Sequence, residues 1–262
     1  MSAIGTSPAG AGSQQEASRW VRAMFGRVAH RYDLANHLLS ANVDRHWRRR
    51  TVARIGDVLK RPDARVLDLA CGTGDLLVAL ERKAGRSLIG SDFCYPMLEG
   101  AQAKLEREGL KSALLESDAL ALPFRDASLD LVTIAFGYRN LADYRGGLVE
   151  MRRVLRPGGA LAILEFTQPP NPAFAALYNW YARRVLPVVG GAISGAREAY
   201  EYLPESVRKF PRAPELAQMM RDAGFATVTW EYLTLGIVAL HVGRMPGAEY
   251  PAADSLKACP SR

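Results

Sequence analysis

The sequence predicts one α/β domain built on a Rossmann-like, doubly wound sheet, and three observations carry that prediction. Short apolar runs alternate with helical patterns between Arg65 and Phe166. The first run ends in Asp68 and breaks into the turn Cys71-Gly72-Thr73-Gly74. A second acidic residue, Asp92, closes the run Ser87-Leu88-Ile89-Gly90. With 262 residues, 48% of them hydrophobic, the chain can bury one large core, and no internal repeat or shift in composition marks a second domain.

Taken in order, helical patterns cover Ala17–Phe25 and Asp44–Leu59. The first strand is Arg65–Leu69 with its helix at Asp75–Lys83, and the second is Ser87–Asp92 followed by a helix at Pro96–Arg107. A short third strand lies at Ala113–Glu116 and ends at Ser117-Asp118-Ala119. Leu129–Ala135 reads as a buried fourth strand, since its apolar run is bracketed by Asp130 and the turn Phe136-Gly137. Leu148–Leu155 is helical, Arg156-Pro157-Gly158-Gly159 stops it, and Ala160–Phe166 is the fifth strand. A helical insertion, Ala173–Lys209, precedes a helix at Pro214–Ala223 and two closing strands, Thr227–Tyr232 and Leu235–Val242. Residues 1–17 and 247–262 are small, polar or Pro-rich without apolar period, and are expected to be disordered tails flanking a domain at 18–246.

In such sheets ligands sit outside the carboxyl ends of the strands, the edge to which Asp68, Asp92, Asp118 and the loop after Ala135 all belong. The turn chemistry selects the ligand. Leu77 stands where a dinucleotide fingerprint places its third small residue, and the carboxylates of Asp68 and Asp75 would repel a pyrophosphate. S-adenosylmethionine has an ammonium, a sulfonium and no phosphate, so it suits an acidic turn. Asp92 has the position and chemistry to accept from both ribose hydroxyls. Asp68, Gly72, Thr73 and Gly74 are therefore candidate cofactor residues beside Asp92. The bland alternative is a Gly-rich turn with exposed carboxylates, and the acidic ends of two successive strands shift the balance to binding.

Charge and cysteine content limit the other classes. The three cysteines, Cys71, Cys94 and Cys259, lack metal-ligand spacing, which fits a reducing cytoplasm, and Cys71 has no His near it in sequence to activate it. His30, His37, His46 and His241 are scattered, so no metal is expected. The N-terminus lacks the basic start and apolar stretch of a secretory signal, and Arg183, Arg184 and Pro187 interrupt the best membrane-span candidate, Ala173 to Ile193. A net charge of +7 and the run Arg45-His46-Trp47-Arg48-Arg49-Arg50 suit an anionic membrane surface. RNA would attract the same charge, but no stacking module supports it; a solvated helix face is the plainest reading. A nicotinamide dehydrogenase, or a methyltransferase for another lipid or small aromatic, are the competing enzyme classes.

Several longer segments carry a resemblance. Tyr32-Asp33-Leu34-Ala35-Asn36 with Ser40 and Trp47, Asp118 to Phe124, Phe136-Gly137-Tyr138-Arg139-Asn140, and Arg153 to Gly159 leading to Glu165 resemble the ubiquinone/menaquinone biosynthesis C-methyltransferases from about Val21 to Arg244. The Gly-rich turn and Pro-Gly-Gly segment are general to class I methyltransferases, whereas the N-terminal and Phe-Gly-x-Arg-Asn segments are specific. The resemblance implies a seven-stranded class I fold. It also implies ring-carbon methylation of a polyprenylated quinol, either demethylmenaquinol to menaquinol, which is favoured here, or the benzoquinol step of ubiquinone synthesis. Thr73, Asp92 and the pair Asp118-Ala119 match the family's cofactor positions, with Asp118 accepting from the adenine amino group. Ala135 stands where the family often has Ser. Ala35, Asn42, Asp44 and Thr167 also depart from the usual Met, Gly, His and Ser.

The chemistry needs few protein groups. A quinol ring carbon becomes nucleophilic when its neighbouring hydroxyl, with a pKa near the tyrosine value of about 10, loses a proton. Arg139 is the candidate for stabilising the phenolate and Asn140 for orienting the ring oxygen; the alternative is a loop Arg-Asn pair in a structural ion pair. Tyr32 in an N-terminal lid, Tyr138, and Tyr200 with Tyr202 in the insertion are the candidate acceptor-binding residues. A transient contact with the inner face of the plasma membrane is expected, and a homodimer stays open.

Overall fold

The computed structural model describes residues 5, 6, 8, 10–29, 40, 42–184, 187, 188 and 197–247. Tyr32 and the lid around it, His30, Ala35 and His37, and residues 248–262 lie outside them. Seven strands form one sheet in the order β3-β2-β1-β4-β5-β7-β6. They are β1 (Val66–Leu69), β2 (Ile89–Asp92), β3 (Ala113–Glu116), β4 (Leu129–Ala135), β5 (Leu155–Phe166), β6 (Thr227–Leu233) and β7 (Val238–Arg244). The first five are parallel, and β7 runs antiparallel to both β5 and β6. Strand order reverses between β1 and β4, so the switch point opens where β1 meets its turn.

Side-chain alternation divides the core between the two faces. Val66, Leu131, Ala160, Ala162 and Leu164 join one apolar cluster; Leu67, Leu69, Val132, Ile134, Leu161 and Ile163 join the other. The first face is covered by α2 (Val43–Arg54), α3 (Gly56–Leu59) and α4 (Asp75–Ala84), whose Leu76, Leu77 and Leu80 are buried. Each such leucine contributes on the order of 1.5–3 kcal/mol. On the second face, Leu148, Met151 and Val154 of α6 (Tyr144–Val154) pack beside Leu216 and Met220 of α9 (Ala213–Asp222). Helices α1 (Gln14–Val28), α5 (Tyr95–Arg107), α7 (Pro172–Arg184) and α8 (Arg197–Lys209), with one-turn 3-10 helices at Tyr138–Asn140 and Thr234–Gly236, complete the described elements.

Where the elements differ from expectation, local geometry gives the reason. Helix α1 starts at Gln14, capped by the Ser13 side chain, and Thr6 is buried with its amide on the Leu141 carbonyl, so the N-terminal boundary at residue 17 moves outward. The expected helix Asp44–Leu59 breaks at Ile55 into α2 and α3. Helix α6 begins four residues before the expected Leu148 because the Asp143 side chain caps it through the Gly146 amide. The strand expected from Leu235 starts at Val238, since Thr234 and Leu235 take left-handed φ of 48° and 55° in the turn out of β6. Pro204, inside α8, did not end that helix.

Candidate active site

The end of β1 is held open by unusual backbone. Ala70 has φ 50°, Gly72 55° and Gly74 86°. The Cys71 amide donates to the Ser91 carbonyl at 2.9 Å, which ties the turn to β2. A Cβ on Gly74 would lie 3.3 Å from the Ala101 Cβ, so this glycine lets α4 start close against α5. Opposite, Phe136 at the end of β4 also has a left-handed φ, 59°, and a Cβ on Gly137 would fall 2.5 Å from that of Ala70. Two non-glycine residues in that region, facing each other across the switch point, are strain stored at a functional edge.

Two buried carboxylates define the electrostatics. Asp92 accepts from the Gly72 amide and the Cys94 amide, both at 2.9 Å, and thereby joins the turns after β1 and β2. Burial outweighs these hydrogen bonds and pushes its pKa up to about 6. Asp68 sits in register with Thr133 of β4, whose hydroxyl donates to Oδ1 at 2.6 Å. Its Oδ2 is buried with no partner among the described residues, and burial raises its pKa to about 7. A buried carboxylate oxygen without a partner beside a glycine turn has the chemistry to accept from a cationic donor. Cys71 lines the same crevice, but burial and the two carboxylates hold its thiol well above its ordinary pKa, which removes it as a nucleophile.

The crevice has two compartments with Ala70, Gly72, Ala135 and Phe136 in the shared wall. The smaller, about 70 Å³, brings together Asp92, Asp118, Ala119 and Ala135 with Phe93 and Met97. Asp118 is exposed and accepts from the Leu120 amide at 2.9 Å, which keeps its carboxylate at the rim. The larger, about 340 Å³, contains Asp68, Gly72 and Thr73 at one end and an aromatic wall at the other. Gly74 lines neither; its part is the turn itself. In the wall, Phe136 lies 5.8 Å from Trp47 and 4.8 Å from Phe166 between ring centroids. Arg48 stands over Phe136 at 5.9 Å and Arg139 over Phe166 at 5.5 Å.

Not every candidate takes the expected place. Tyr138 is fully buried against Tyr144 and Phe210, and its hydroxyl donates to the Tyr144 carbonyl at 2.6 Å, so it belongs to the core and lines neither compartment. Asn140 lines the smaller compartment; its amide donates to the Phe136 carbonyl at 3.4 Å and its oxygen accepts from Tyr202 at 3.0 Å. Arg139 lines the larger one with its guanidinium paired to buried Glu165 at 2.9 Å and donating to the Phe136 carbonyl at 2.5 Å. Tyr200 and Tyr202 do line the larger cavity, and Tyr202 is fixed by a 2.6 Å hydrogen bond with Thr6.

The charge argument from Asp75 needs correction. Its carboxylate is bonded by Lys104 at 2.5 Å and by Arg48 at 3.2 Å, so Asp75 adds no unpaired negative charge at the turn. The run Arg45–Arg50 is likewise no continuous surface band. Trp47 is buried with its indole N–H on Thr234, Arg48 pairs with Asp44, and Arg50 pairs with Glu231 at 2.8 Å. Sequence reasoning missed Arg48, Phe166, Tyr178 and Tyr181 as cavity walls. The spacing of Tyr178 and Tyr181, three residues apart in the helical insertion, was the available signal. Among the described residues no cluster of three or more His, Cys, Asp or Glu could hold a metal, and no helix is long and apolar enough to cross a membrane.

With β7 antiparallel between β5 and β6, and with an acidic crevice where a dinucleotide fold has its phosphate cradle, the molecule is a class I S-adenosylmethionine-dependent methyltransferase. The model of the ubiE/COQ5 methyltransferase family matches residues 12–245, and the chain belongs to that family. It is 53% identical over 224 residues to a demethylmenaquinone methyltransferase of Thermus thermophilus, covering 85% of this chain and 100% of that protein. The protein of the same name from Deinococcus radiodurans is 47% identical over 233 residues, 88% and 95% of the two chains. Among solved structures, a SAM-dependent methyltransferase from Thermotoga maritima, described as a possible histamine N-methyltransferase, superposes with TM-score 0.57 at 20% identity over 85% of this chain and 98% of that one. That likeness is one of fold.

Proposed function

We propose that this enzyme methylates a ring carbon of a polyprenylated quinol, demethylmenaquinol, to give menaquinol in menaquinone biosynthesis. The observation that carries the reading is the larger cavity. An aromatic wall suited to a flat ring opens directly onto the carboxylate that suits the donor's ammonium, and relatives 45–53% identical bear the demethylmenaquinone methyltransferase name.

Bound in the crevice, S-adenosylmethionine supplies a methyl group already activated on a sulfonium. Asp68 would hold its ammonium, Asp92 would accept from its ribose hydroxyls, and Asp118 with the Ala119 backbone would hold its adenine. Phe136 and Phe166 hold the quinol ring flat, which converts an encounter into a positioned pair. Arg139 favours the phenolate: Glu165 and the Phe136 carbonyl anchor one edge of its guanidinium at the cavity wall, so its orientation is set before the acceptor arrives. Lowering a ring hydroxyl from about 10 to neutrality asks about 4 kcal/mol of that electrostatic field. Asn140 positions Tyr202, and through it the insertion, instead of touching the ring oxygen. The acceptor's tail places the reaction at a membrane surface, which for a cytoplasmic enzyme is the inner face of the plasma membrane.

The test is methyl transfer from labelled donor to reduced demethylmenaquinone and, in parallel, to the benzoquinol precursor of ubiquinone. The reading expects a higher kcat/KM for the naphthoquinol. Preference for the benzoquinol would move the enzyme to ubiquinone synthesis, and label in neither acceptor would remove the quinol assignment.

A further inference from the structure

We propose that the outward face of α7, with the tip of the β6–β7 turn, is a docking surface for an anionic lipid bilayer. It brings the helix that walls the larger cavity against the phase that holds an isoprenoid substrate. The proposal rests on the quinol reading above for its purpose, but not for its evidence.

Helix α7 is amphipathic in an inverted sense. Tyr178 and Tyr181 line the cavity and Ala182 is buried, while Leu177 and Trp180, one turn apart, are 61% and 60% exposed. A water-facing helix surface is ordinarily polar, and here the exposed stripe is apolar until it ends in exposed Arg183 and Arg184. Val188, just beyond, is 63% exposed.

A second element, abutting the segment that leads into α7, also exposes an apolar group. Leu235 is 72% exposed in the turn between β6 and β7, in a left-handed conformation at φ 55°. A branched side chain in that region costs on the order of 1 kcal/mol, and the exposed side chain recovers little of it by packing within the chain. A Cβ on Gly236 would lie 2.4 Å from Pro170 Cδ, so this turn abuts the segment that leads into α7. Thr234 and Ile237, on either side of Leu235, line the same cavity as Tyr178 and Tyr181. Exposed apolar groups thus rise from the two elements that wall one side of the cavity.

Charge and continuity select the occupant. Arg183 and Arg184 adjoin the stripe and the chain carries +7, which complements anionic headgroups. The apolar stripe and the cavity wall are two faces of α7, so seating the stripe in the headgroup plane holds the cavity behind it within one helix diameter, roughly 10 Å, of the lipid. The arginine run on α2 is not needed for this, because Trp47 is buried and Arg48 and Arg50 are paired within the chain.

The test is sedimentation of the full-length chain with vesicles of phosphatidylcholine alone and of phosphatidylcholine with phosphatidylglycerol, using wild type, Leu177→Ser/Trp180→Ser and Arg183→Gln/Arg184→Gln. These residues are exposed, so the variants keep the fold. The proposal expects binding to the anionic vesicles that weakens with salt, and a loss of about tenfold or more in each double variant. Methylation of a short-tailed, water-soluble quinol stays at the wild-type rate. No binding by wild type, or equal binding by the Leu177/Trp180 variant, overturns the proposal. So does a dimer-to-monomer shift in that variant with vesicle binding unchanged, which would put a second copy of the chain on this face. Failure of wild type to methylate the short-tailed quinol counts against the quinol reading, and leaves the vesicle result to stand or fall separately.

Discussion

Lowering the pH from 7 to 6 should weaken binding of S-adenosylhomocysteine about tenfold, because the protein must ionise two buried carboxylates to receive it. Burial raises Asp68 to about 7 and Asp92 to about 6 in the ligand-free crevice. An ammonium beside Asp68 and ribose hydroxyls on Asp92 both favour the charged forms. With those values the ionised fraction of Asp68 falls about fivefold over this unit and that of Asp92 about twofold, which multiply to the tenfold figure. The ligand's ammonium stays protonated throughout the interval and adds no slope of its own.

Stability of the ligand-free protein runs the other way. Both folded-state values lie above the unfolded value of 3.8, so the folded chain binds more protons between about pH 4 and 7 and loses stability as pH rises through that window. Calorimetry at pH 6 and 7, at matched ionic strength and in buffers of different ionisation enthalpy, measures both the affinity and the protons released. Asp68→Asn should bind more weakly and keep only the twofold dependence that belongs to Asp92. An affinity flat within twofold over the interval, or an Asp68→Asn variant that retains the whole slope, would refute the placement of the donor's ammonium at Asp68.

Gly137→Ala forces a Cβ to within 2.5 Å of the Ala70 Cβ and should cost about 1–3 kcal/mol, read as a lower Tm together with weaker S-adenosylhomocysteine binding. Arg139→Ala leaves Glu165 charged and buried without its cation, with an expected loss of about 3–5 kcal/mol in denaturant unfolding. Arg139→Ala/Glu165→Gln should recover most of that stability while methyl transfer stays low, whereas recovered turnover would make the arginine purely structural. Tyr138→Phe removes a buried hydroxyl from the Tyr144 carbonyl and should cost about 1–2 kcal/mol with KM for the quinol unchanged; a raised KM would return Tyr138 to the acceptor cavity.

The pairing of the two strand-end carboxylates was legible because it is local. Asp68 and Asp92 each terminate an apolar strand, and parallel pairing of β1 with β2 must bring those ends together, so the carboxylate pair follows from two short segments. The charge balance was not legible. Asp75 reads as a free carboxylate beside the turn, and only the tertiary fold delivers Lys104 from α5 and Arg48 from α2 to neutralise it. The run from Arg45 to Arg50 misled for a related reason. Read as a string it is a basic band, but at helical pitch Asp44, Trp47 and Thr51 form the buried side, and long-range partners claim Arg50. Tyr138 read as a loop aromatic above the sheet; the one-turn helix Tyr138–Asn140 swings it into the core beneath. The aromatic wall of the larger cavity was hardest, since Trp47, Phe136, Phe166 and Tyr178 come from four separated segments that nothing in their spacing joins.

The most direct test is the bond the methyl group ends on. After incubation with donor carrying a ¹³C-methyl and reduced demethylmenaquinone, the product's carbon spectrum should show the labelled methyl coupled directly to a ring carbon. A labelled methyl bound to oxygen, or an unlabelled ring while S-adenosylhomocysteine accumulates, would contradict a cavity built for methylation at carbon.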